Sequence, residues 1–331
     1  MSASPAPGLA LVLGEALVDR FPDGAHTAGG APFNVACWLA LLQVPVRLVS
    51  RLGAQDAEAA TVRQAARRAV LDLSDVQVDP ELPTGVVDVT LAADGPSYLI
   101  RHPAAWDRLD RAQAVASVDG AQPAVVVFGT LARRDPVSAD AIDAALAAAS
   151  RTGALRLADL NLRSTPDDRA ERGRAEAALN LADWAKVNDV ELQVLMHWFA
   201  HENTSARPAP RRPAAQDDPH GPARAALMAR FELKRLVVTC GAAGWYTVDE
   251  TGAVDARGPA VAVPEVVDTV GAGDAFLATV AAGLCRRWPL AGTLRRAAQV
   301  AALACSHRGA LPLDAASLAA LKPLAGLAPT P

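Results

Sequence analysis

One segment near the end of the chain places two glycines and an aspartate where a helical pattern begins. It reads Asp-Thr-Val-Gly-Ala-Gly-Asp-Ala-Phe over residues 268–276. The apolar run over 261–267 predicts a strand before it, and apolar residues recur at helical spacing after it. A helix N-terminus presents unpaired N–H groups and a positive dipole end, and glycine lets a phosphate approach the backbone. The segment therefore predicts an anion site.

A carboxylate in such a site would repel phosphate. Asp274 makes chemical sense if it faces a hydroxyl group that loses its proton while attacking a phosphoryl group. The simpler interpretation is a glycine turn with an acid in the first helical turn, where acids are favoured. The segment lacks the third glycine of a dinucleotide-binding fingerprint, and the chain has no Gly-Lys pair, so a P-loop lysine motif is absent.

A second cluster carries groups suited to a polyhydroxylated ligand. Asp19 lies just past the first predicted strand. Gly29 and Gly30 precede a predicted helix that runs to about Leu42, and Asn34 lies on its first turn. A carboxylate and an amide can each bind neighbouring hydroxyl groups. Taken singly, Asp19 is equally explained as a loop residue and Asn34 as a helix cap.

Two more clusters follow predicted strands. Asn188 and Glu191 have the spacing of a capping box, and Glu191 is also suited to order water around Mg²⁺. Thr239, Gly241 and Gly244 form a compact turn that can hold a nucleotide phosphate or ribose, or simply connect two strands of a hairpin.

Arginines and histidines supply weaker signals. Arg101 ends a predicted hairpin and Arg163 follows a predicted strand. Each has the chemistry to bind a phosphate, a sugar hydroxyl or a carboxylate, and each also fits an ordinary surface position. The spacing of the histidines at 197, 201 and 220 matches no zinc template, so no direct protein ligand for a metal is assigned.

An alternation of short buried strands with helices must position these residues. The predicted strands are Leu9–Leu13, Val46–Val49, Val125–Phe128, Leu155–Ala158, Trp184–Val187 and Leu236–Thr239, and the predicted helices include Ala57–Val70, Ser138–Ser150 and Arg169–Ala182. This rhythm predicts an α/β fold with a mostly parallel sheet covered by helices on both faces. Ligands of such sheets bind beyond the carboxyl ends of the strands.

Two regions interrupt the rhythm. Thr84–Thr90 and Ser97–Arg101, separated by Asp94-Gly95, predict a hairpin, and Ala16–Phe21 is expected to pair with it in a small sheet. We interpret this sheet, formed by about 15–30 and 84–103, as a lid over the site; an ordinary edge hairpin is the alternative. Residues 197–223 are rich in Pro, Arg, Ala and His and predict a flexible insertion.

Bulk properties restrict the classes of partner. The chain has 331 residues, 51% of them hydrophobic and 21% charged, which suits one large α/β domain over 1–331. A formal net charge of −4 gives no basic field for nucleic acid. The four cysteines lie without CxxC spacing in apolar surroundings, which favours buried free thiols and a cytoplasmic location. We expect no signal peptide and no membrane span.

Together these motifs resemble the ribokinase-like carbohydrate kinase family, also called PfkB. The resemblance covers roughly residues 9–311 and is carried by the segments 14–19, 29–36, 50–56, 159–163, 188–191, 239–244 and 268–276, which occur in this order. It implies a three-layer α/β/α fold with a small β-sheet lid, and transfer of the γ-phosphoryl group of ATP to a sugar hydroxyl.

The resemblance also implies roles for residues. Asp274 would be the catalytic base, and the anion hole would comprise Gly271, Ala272 and Gly273 together with the backbone amide of Asp274. The substrate-binding set would be Asp19, Gly29, Gly30, Asn34, Arg101 and Arg163, and the ATP and Mg²⁺ region would comprise Asn188, Glu191, Thr239, Gly241, Gly244 and Cys305. Many members also bind a monovalent cation such as K⁺ near the anion hole, and family habit suggests a homodimer through the lid.

Within this family the sequence is most similar to bacterial fructokinases. A 2-keto-3-deoxygluconate kinase is the next candidate, since Arg101 and Arg163 would suit its carboxylate. Ribokinase and nucleoside kinase follow. A non-catalytic sugar sensor on the same fold is the alternative from another class, and the intact Asp274 and glycines argue against it.

Overall fold

A computed structural model describes residues 7–92, 95–162, 168–200 and 218–325. The strands are β1 (Ala10–Leu13), β2 (Leu17–Arg20), β3 (His26–Gly29), β4 (Val46–Gly53), β5 (Val76–Asp79), β6 (Gly85–Ala92), β7 (Gly95–Ile100), β8 (Val125–Gly129), β9 (Leu155–Asp159), β10 (Trp184–Asn188), β11 (Arg235–Thr239), β12 (Trp245–Asp249) and β13 (Val254–Gly258). The helices are α1 (Ala31–Leu41), α2 (Ala57–Ala69), α3 (Arg111–Ala121), α4 (Pro136–Thr152), α5 (Arg169–Leu179), α6 (Asp189–Phe199), α7 (Gly221–Arg230), α8 (Ala272–Cys285), α9 (Leu290–Ala304) and α10 (Ala315–Leu321).

The large sheet is mostly parallel, as the sequence predicts. Its order is β13-β12-β11-β10-β9-β8-β1-β4-β5, and only the pairs made by β12 are antiparallel. The chain builds outward from β1 in both directions, so the strand order reverses beside β1. In open α/β sheets, a crevice for ligands forms at the carboxyl ends of the strands where the order reverses.

Alternate side chains of β1 enter two separate cores. Ala10 and Val12 pack with α1, α2, α8 and α9 on one face, whereas Leu11 and Leu13 pack with α3 to α7 on the other. Trp38 on α1 and Trp106 are among the largest fully buried side chains, and complete burial of a large apolar side chain stabilises the fold by about 1.5–3 kcal/mol. The three-layer α/β/α arrangement of the ribokinase-like fold is confirmed.

The predicted hairpin belongs to a second sheet of order β3-β2-β6-β7, called here the small sheet. β6 and β7 pair antiparallel, and β2 joins β6 in parallel with Leu17 opposite Gly85. Residues 93 and 94 of the turn lie outside the described residues. Leu17, Val87 and Val89 form a small buried cluster on this sheet.

Two predictions about local structure are wrong. The apolar run over 261–267 forms no strand, and Val266 and Val267 are more than half exposed. The interruption does not begin at residue 197, because α6 continues to Phe199 and buries Trp198 and Phe199; it does not extend to 223, because α7 begins at Gly221. The rest of that segment, residues 201–217, lies outside the described residues.

No helix in the described ranges is long and apolar enough to cross a membrane.

Candidate active site

The predicted anion site lies at the N-terminus of α8. Gly271 precedes the helix with φ +79°, a left-handed conformation that favours glycine. A Cβ on Gly271 would lie 2.6 Å from the Cα of Ala310, so this position also has no room for a side chain. The glycine therefore lets the chain turn tightly into α8, and Gly271, Ala272, Gly273 and Asp274 all line an adjoining cavity.

Asp274 lies in the first turn of α8 and is only 9% exposed. Its Oδ2 accepts a hydrogen bond of 2.8 Å from Nδ2 of Asn34, on α1. Asn34 is 5% exposed, and its Oδ1 accepts no hydrogen bond from the described residues. One buried amide thus touches the candidate base, and its oxygen is an acceptor without a partner among the described residues.

A cavity of about 900 Å³ opens in front of this pair. The lining residues include Glu15, Asp19, Gly30, Asn34, Val87, Tyr98, Ile100, Leu131, Asn161, Lys186, Asn188, Glu191, Thr239, Gly241, Gly244, Val261, Val263, Val266, Gly271, Ala272, Gly273, Asp274, Ala298, Ala302 and Cys305. The large sheet supplies one side of it from the carboxyl ends of its strands, and the small sheet supplies another through Val87, Tyr98 and Ile100.

One end of the cavity carries acidic and amide side chains. Glu15 follows β1 and is buried, while Asp19 on β2 is partly exposed. Gly30 has φ +98°, and a Cβ there would lie 2.7 Å from the carbonyl oxygen of Glu15. Asn161 follows β9 at φ +41°, a left-handed conformation that asparagine tolerates better than most residues. These groups can accept and donate hydrogen bonds to a polyhydroxylated molecule.

Two of the predicted substrate residues lie elsewhere. Gly29 is absent from the lining, and a Cβ on it would fall 2.5 Å from Oδ2 of Asp19, so it makes room for that carboxylate. Arg101 hydrogen-bonds Asp88 at 2.6 and 3.2 Å, and its side chain is 54% exposed. The structure does not bring Arg101 into the lining, and Arg163 lies outside the described residues.

Asn188 and Glu191 form the capping box that their spacing predicts. Oδ1 of Asn188 accepts from the Glu191 amide, and Oε2 of Glu191 accepts from the Asn188 amide, both at 2.8 Å. Oε1 of Glu191 accepts from the Leu162 amide at 3.1 Å. Burial raises the pKa of Glu191, and nearby Lys186 opposes that rise.

These contacts bear on where Mg²⁺ would be held. No group of three or more His, Cys, Asp or Glu in the described ranges is arranged to hold a metal ion. Both carboxylate oxygens of Glu191 accept hydrogen bonds from backbone amides. The residue also lines the cavity, where its carboxylate can act as an acceptor. This donor set fits an ion held mainly by phosphates and water, with the carboxylate ordering that water, which is how Mg²⁺ is commonly bound.

The opposite end of the cavity is mainly apolar. Valines of the irregular segment 261–267, alanines of α9 and Cys305 line it. Gly244 has φ +96°, and a Cβ on it would lie 2.1 Å from the carbonyl oxygen of Gly258. Oγ1 of Thr239 donates to the carbonyl oxygen of Val187 at 3.4 Å. An apolar slot ending in a compact glycine turn can receive a flat base with phosphates pointing toward α8.

Sequence analysis missed Lys186, the third residue of β10. It is 7% exposed, lines the cavity, and its Nζ donates to Oδ1 of Asp159 on the neighbouring strand at 3.1 Å. Only three lysines occur in the chain, and one of them falls inside a predicted buried strand. A lysine inside a predicted buried strand was the feature of the sequence that could have pointed to Lys186 as a site residue.

The cysteines form two groups. Cys37 and Cys285 are buried, and burial raises the pKa of both thiols, that of Cys285 to about 12. Cys240 and Cys305 are partly exposed, so the expectation of four buried thiols is wrong for these two. Cys305 lines the apolar end of the cavity, where the resemblance implies a nucleotide contact.

Comparison with known proteins agrees with this geometry. The chain matches the pfkB family of carbohydrate kinases over residues 9–316. It is 31% identical to a fructokinase of Klebsiella pneumoniae over 317 residues, covering 91% of this chain and 94% of that protein.

Solved structures match the fold over nearly the whole chain. A Vibrio cholerae O395 fructokinase double mutant, bound to fructose, ADP and potassium ion, superposes with a TM-score of 0.73 at 24% identity, covering 95% of this chain and 98% of that one. A putative ribokinase II of E. coli gives a TM-score of 0.75 at 20% identity, covering 96% and 98%. The chain therefore belongs to the pfkB family of carbohydrate kinases and is a phosphotransferase that acts on a sugar hydroxyl.

Proposed function

We propose that this kinase transfers the γ-phosphoryl group of ATP to fructose and forms fructose 6-phosphate. The observation that carries the proposal is the contact between Asn34 and Asp274, because it joins the polar, hydroxyl-binding end of the cavity to the helix N-terminus suited to phosphate. The fructokinase of Klebsiella pneumoniae and the fructose-bound Vibrio cholerae protein support the choice of sugar.

The polar end of the cavity favours a neutral sugar over an acidic one. The charged side chains at this end are the carboxylates Glu15 and Asp19, and the one basic residue in the lining among the residues described, Lys186, lies against the first turn of α8. Carboxylates accept hydrogen bonds from hydroxyl groups but repel the carboxylate of 2-keto-3-deoxygluconate. Arg101, which would have favoured that acid, is paired with Asp88 instead.

The proposed mechanism is direct in-line transfer. Asp274 accepts the proton of the attacking hydroxyl, whose oxygen forms the new bond to the γ-phosphorus. The bond from that phosphorus to the bridging oxygen breaks, and its electron pair leaves with ADP. The amides of Gly271, Ala272, Gly273 and Asp274 bind the anionic oxygens, and Asp19, Gly30 and Asn34 hold the sugar. Glu191 and Asn188 would order the water around a bound Mg²⁺, which would supply positive charge to the phosphates.

The remaining expectations form part of the same proposal. The small sheet closes over the sugar and excludes water, and its exposed face, which carries Leu99 at 67% exposure, is where a second copy of the chain would pair. A monovalent cation near the anion hole is proposed because the Vibrio cholerae protein binds potassium. An enzyme that draws on ATP is expected in the cytoplasm.

A coupled assay of ADP release tests the substrate. The purified chain is given ATP and Mg²⁺ with fructose, ribose, 2-keto-3-deoxygluconate or a nucleoside in separate reactions. We expect the highest kcat/KM with fructose. If 2-keto-3-deoxygluconate or a nucleoside gives a higher kcat/KM than fructose, that compound is the substrate and the proposal of fructose is wrong.

A further inference from the structure

Lys186 is a buried cation that the mechanism above does not use. It lies on β10, in register with Asp159 on β9, and its side chain is only 8% exposed. Taking an ammonium group out of water costs several kcal/mol, and a single ion pair often fails to compensate for that cost. A lysine at this point of a buried strand therefore requires several compensating acidic groups, and its place in the lining also makes it accessible to a bound molecule.

The ammonium group of Lys186 has more N–H donors than its hydrogen bonds within the protein use. Its contact with Oδ1 of Asp159, at 3.1 Å, is its one hydrogen bond among the described residues. An ammonium group carries three N–H donors, so two remain for other acceptors. Since Lys186 also lines the cavity, these donors are available to a bound molecule.

Acidic neighbours keep Lys186 charged. Burial alone would lower its pKa, but Asp159 first, and then Glu191 and Asp274, outweigh burial, so that the pKa is raised above its ordinary value. The lysine therefore carries its positive charge at neutral pH, and three carboxylates surround it.

The position of the charge relative to α8 is the decisive feature. A Cβ placed on Gly273 would lie 3.1 Å from Nζ of Lys186, so the ammonium group lies against the first turn of that helix. The N-terminus of a helix is itself the positive end of a dipole. The ammonium group and the helix N-terminus therefore concentrate positive charge on one side of the cavity, and an anion bound beside them would be attracted by both.

We propose that Lys186 is a catalytic residue whose Nζ donates a hydrogen bond to an oxygen of the phosphoryl group in transit, with Asp159 holding the ammonium group in position. The inference rests on phosphoryl transfer at α8, not on the identity of the sugar. As the sugar oxygen bonds to phosphorus and the bond to ADP breaks, negative charge spreads over the oxygens of the moving group. The hydroxyl proton goes to Asp274, and Lys186 keeps its own protons throughout.

The test compares Lys186→Met with wild type and with Lys322→Met. Methionine keeps about the length of the lysine side chain but lacks its charge. Lys322 serves as the control because it is an exposed lysine outside the cavity. With the best sugar acceptor of the wild type, we expect kcat of Lys186→Met to fall about 10²–10³-fold, the loss typical of one removed donor at a transition-state anion. The KM for sugar and the activity of Lys322→Met should stay at wild-type values.

Binding of a phosphoryl mimic gives a readout that does not depend on turnover. Calorimetry measures the Kd of ADP with Mg²⁺ and sugar, in the presence and absence of aluminium fluoride. Aluminium fluoride should tighten ADP binding to the wild type and to Lys322→Met, and this tightening should be lost in Lys186→Met while the Kd of ADP alone is kept. Lys186→Arg, which retains the charge, should recover part of both kcat and the tightening.

Several outcomes overturn the assignment. The first is a wild-type kcat in Lys186→Met. The second is a variant in which only the KM for ATP rises and kcat is unchanged. The third is an equal loss of kcat in Lys186→Arg and Lys186→Met. Thermal unfolding checks that the variants fold, and Lys186→Gln, which is polar and uncharged, replaces methionine if that variant does not. If the wild-type protein does not phosphorylate fructose but phosphorylates another sugar, the proposed substrate is refuted. The comparison of Lys186→Met with wild type is then made with that other sugar and still tests the role of Lys186.

Discussion

Nδ2 of Asn34 donates a hydrogen bond of 2.8 Å to Oδ2 of Asp274, joining the start of α1 to the start of α8 across 240 positions of sequence. Both side chains are buried, and both line the same cavity. The bond therefore places the candidate base beside an amide that we propose holds the sugar. It also makes the charge of Asp274 sensitive to whatever stands at position 34.

Replacing Asp274 with asparagine removes the proposed base and keeps its size. We expect kcat to fall about 10²–10⁴-fold, the usual contribution of general-base catalysis. Sugar binding, measured by calorimetry, should survive because Asn34 and Asp19 are unchanged. Near-normal turnover of Asp274→Asn would refute the assignment of the base.

Replacing Asn34 with aspartate places a second carboxylate against Asp274. Two carboxylates in contact cannot both ionise easily, so the pair shares a proton and one apparent pKa rises. The acidic limb of the pH profile of kcat should therefore move to higher pH. Asp19→Asn, which alters the proposed sugar contact and leaves position 34 unchanged, should raise the KM for sugar and leave that limb in place. An unshifted profile in Asn34→Asp would contradict the coupling.

Replacing Gly271 with alanine tests the turn before α8. The left-handed conformation costs a non-glycine residue about 1–2 kcal/mol, and the new Cβ would also meet the backbone of Ala310 at 2.6 Å. We expect a lower melting temperature because of this strain, and a loss of kcat/KM for ATP of up to about 10²-fold because a displaced turn would misplace the groups that hold the phosphates.

The matched control for that variant is Gly173→Ala. Gly173 lies inside α5 with open space around it. Alanine there should stabilise the fold by about 0.5–1 kcal/mol and leave the kinetics unchanged. Equal effects of the two substitutions would show that the turn is not specifically required.

Asp183 provides a prediction about stability and pH. Its carboxylate accepts hydrogen bonds from the backbone and side chain of Arg156, both at 3.0 Å, and from Lys234 at 2.8 Å. Burial alone would raise its pKa, but these contacts lower it from 3.8 to about 2. The carboxylate therefore stabilises the fold above pH 3.8, by about 2 kcal/mol, and this contribution is lost as the pH falls toward 2.

Asp183→Asn should be less stable than wild type by roughly that amount at pH 7, as measured by urea unfolding. The difference should shrink as the pH drops from 4 to 2, because protonation removes the advantage of the wild-type carboxylate. A difference that stays constant over this range would mean that the ion pairs are not its source.

The sequence allowed correct prediction of the elements whose patterns are local. Strands such as Val125–Gly129 are short apolar runs, and the hairpin β6–β7 alternates apolar and polar residues around a turn. Asn188 and Glu191 form a capping box within four consecutive residues, so spacing alone identified it. The position of Asp274 in the first turn of a helix was predicted for the same reason, since its glycines lie beside it.

The errors come from positions where tertiary surroundings decide. The run over 261–267 is as apolar as a strand, but its valines line the cavity instead of pairing in the sheet. Trp198 and Phe199 were assigned to the insertion because Pro and Arg dominate the residues after them, yet they continue the apolar pattern of α6, which buries both. Arg101 was expected at the site because it ends the hairpin, and Asp88 on the paired strand holds it instead. Lys186 was hidden because its acidic partners come from other strands and helices.

The order in which the cavity is assembled along the chain bears on how such a kinase can change in evolution. The proposed sugar contacts Asp19, Gly30 and Asn34, and the small sheet beside them, all come from the first hundred residues, whereas the proposed phosphate and nucleotide contacts come from Lys186 onward. Acceptor preference can therefore drift through substitutions in one half of the gene while the other half keeps its donor. The Asn34–Asp274 hydrogen bond joins these two parts of the chain. A substitution at position 34 would therefore directly alter the surroundings of the proposed base.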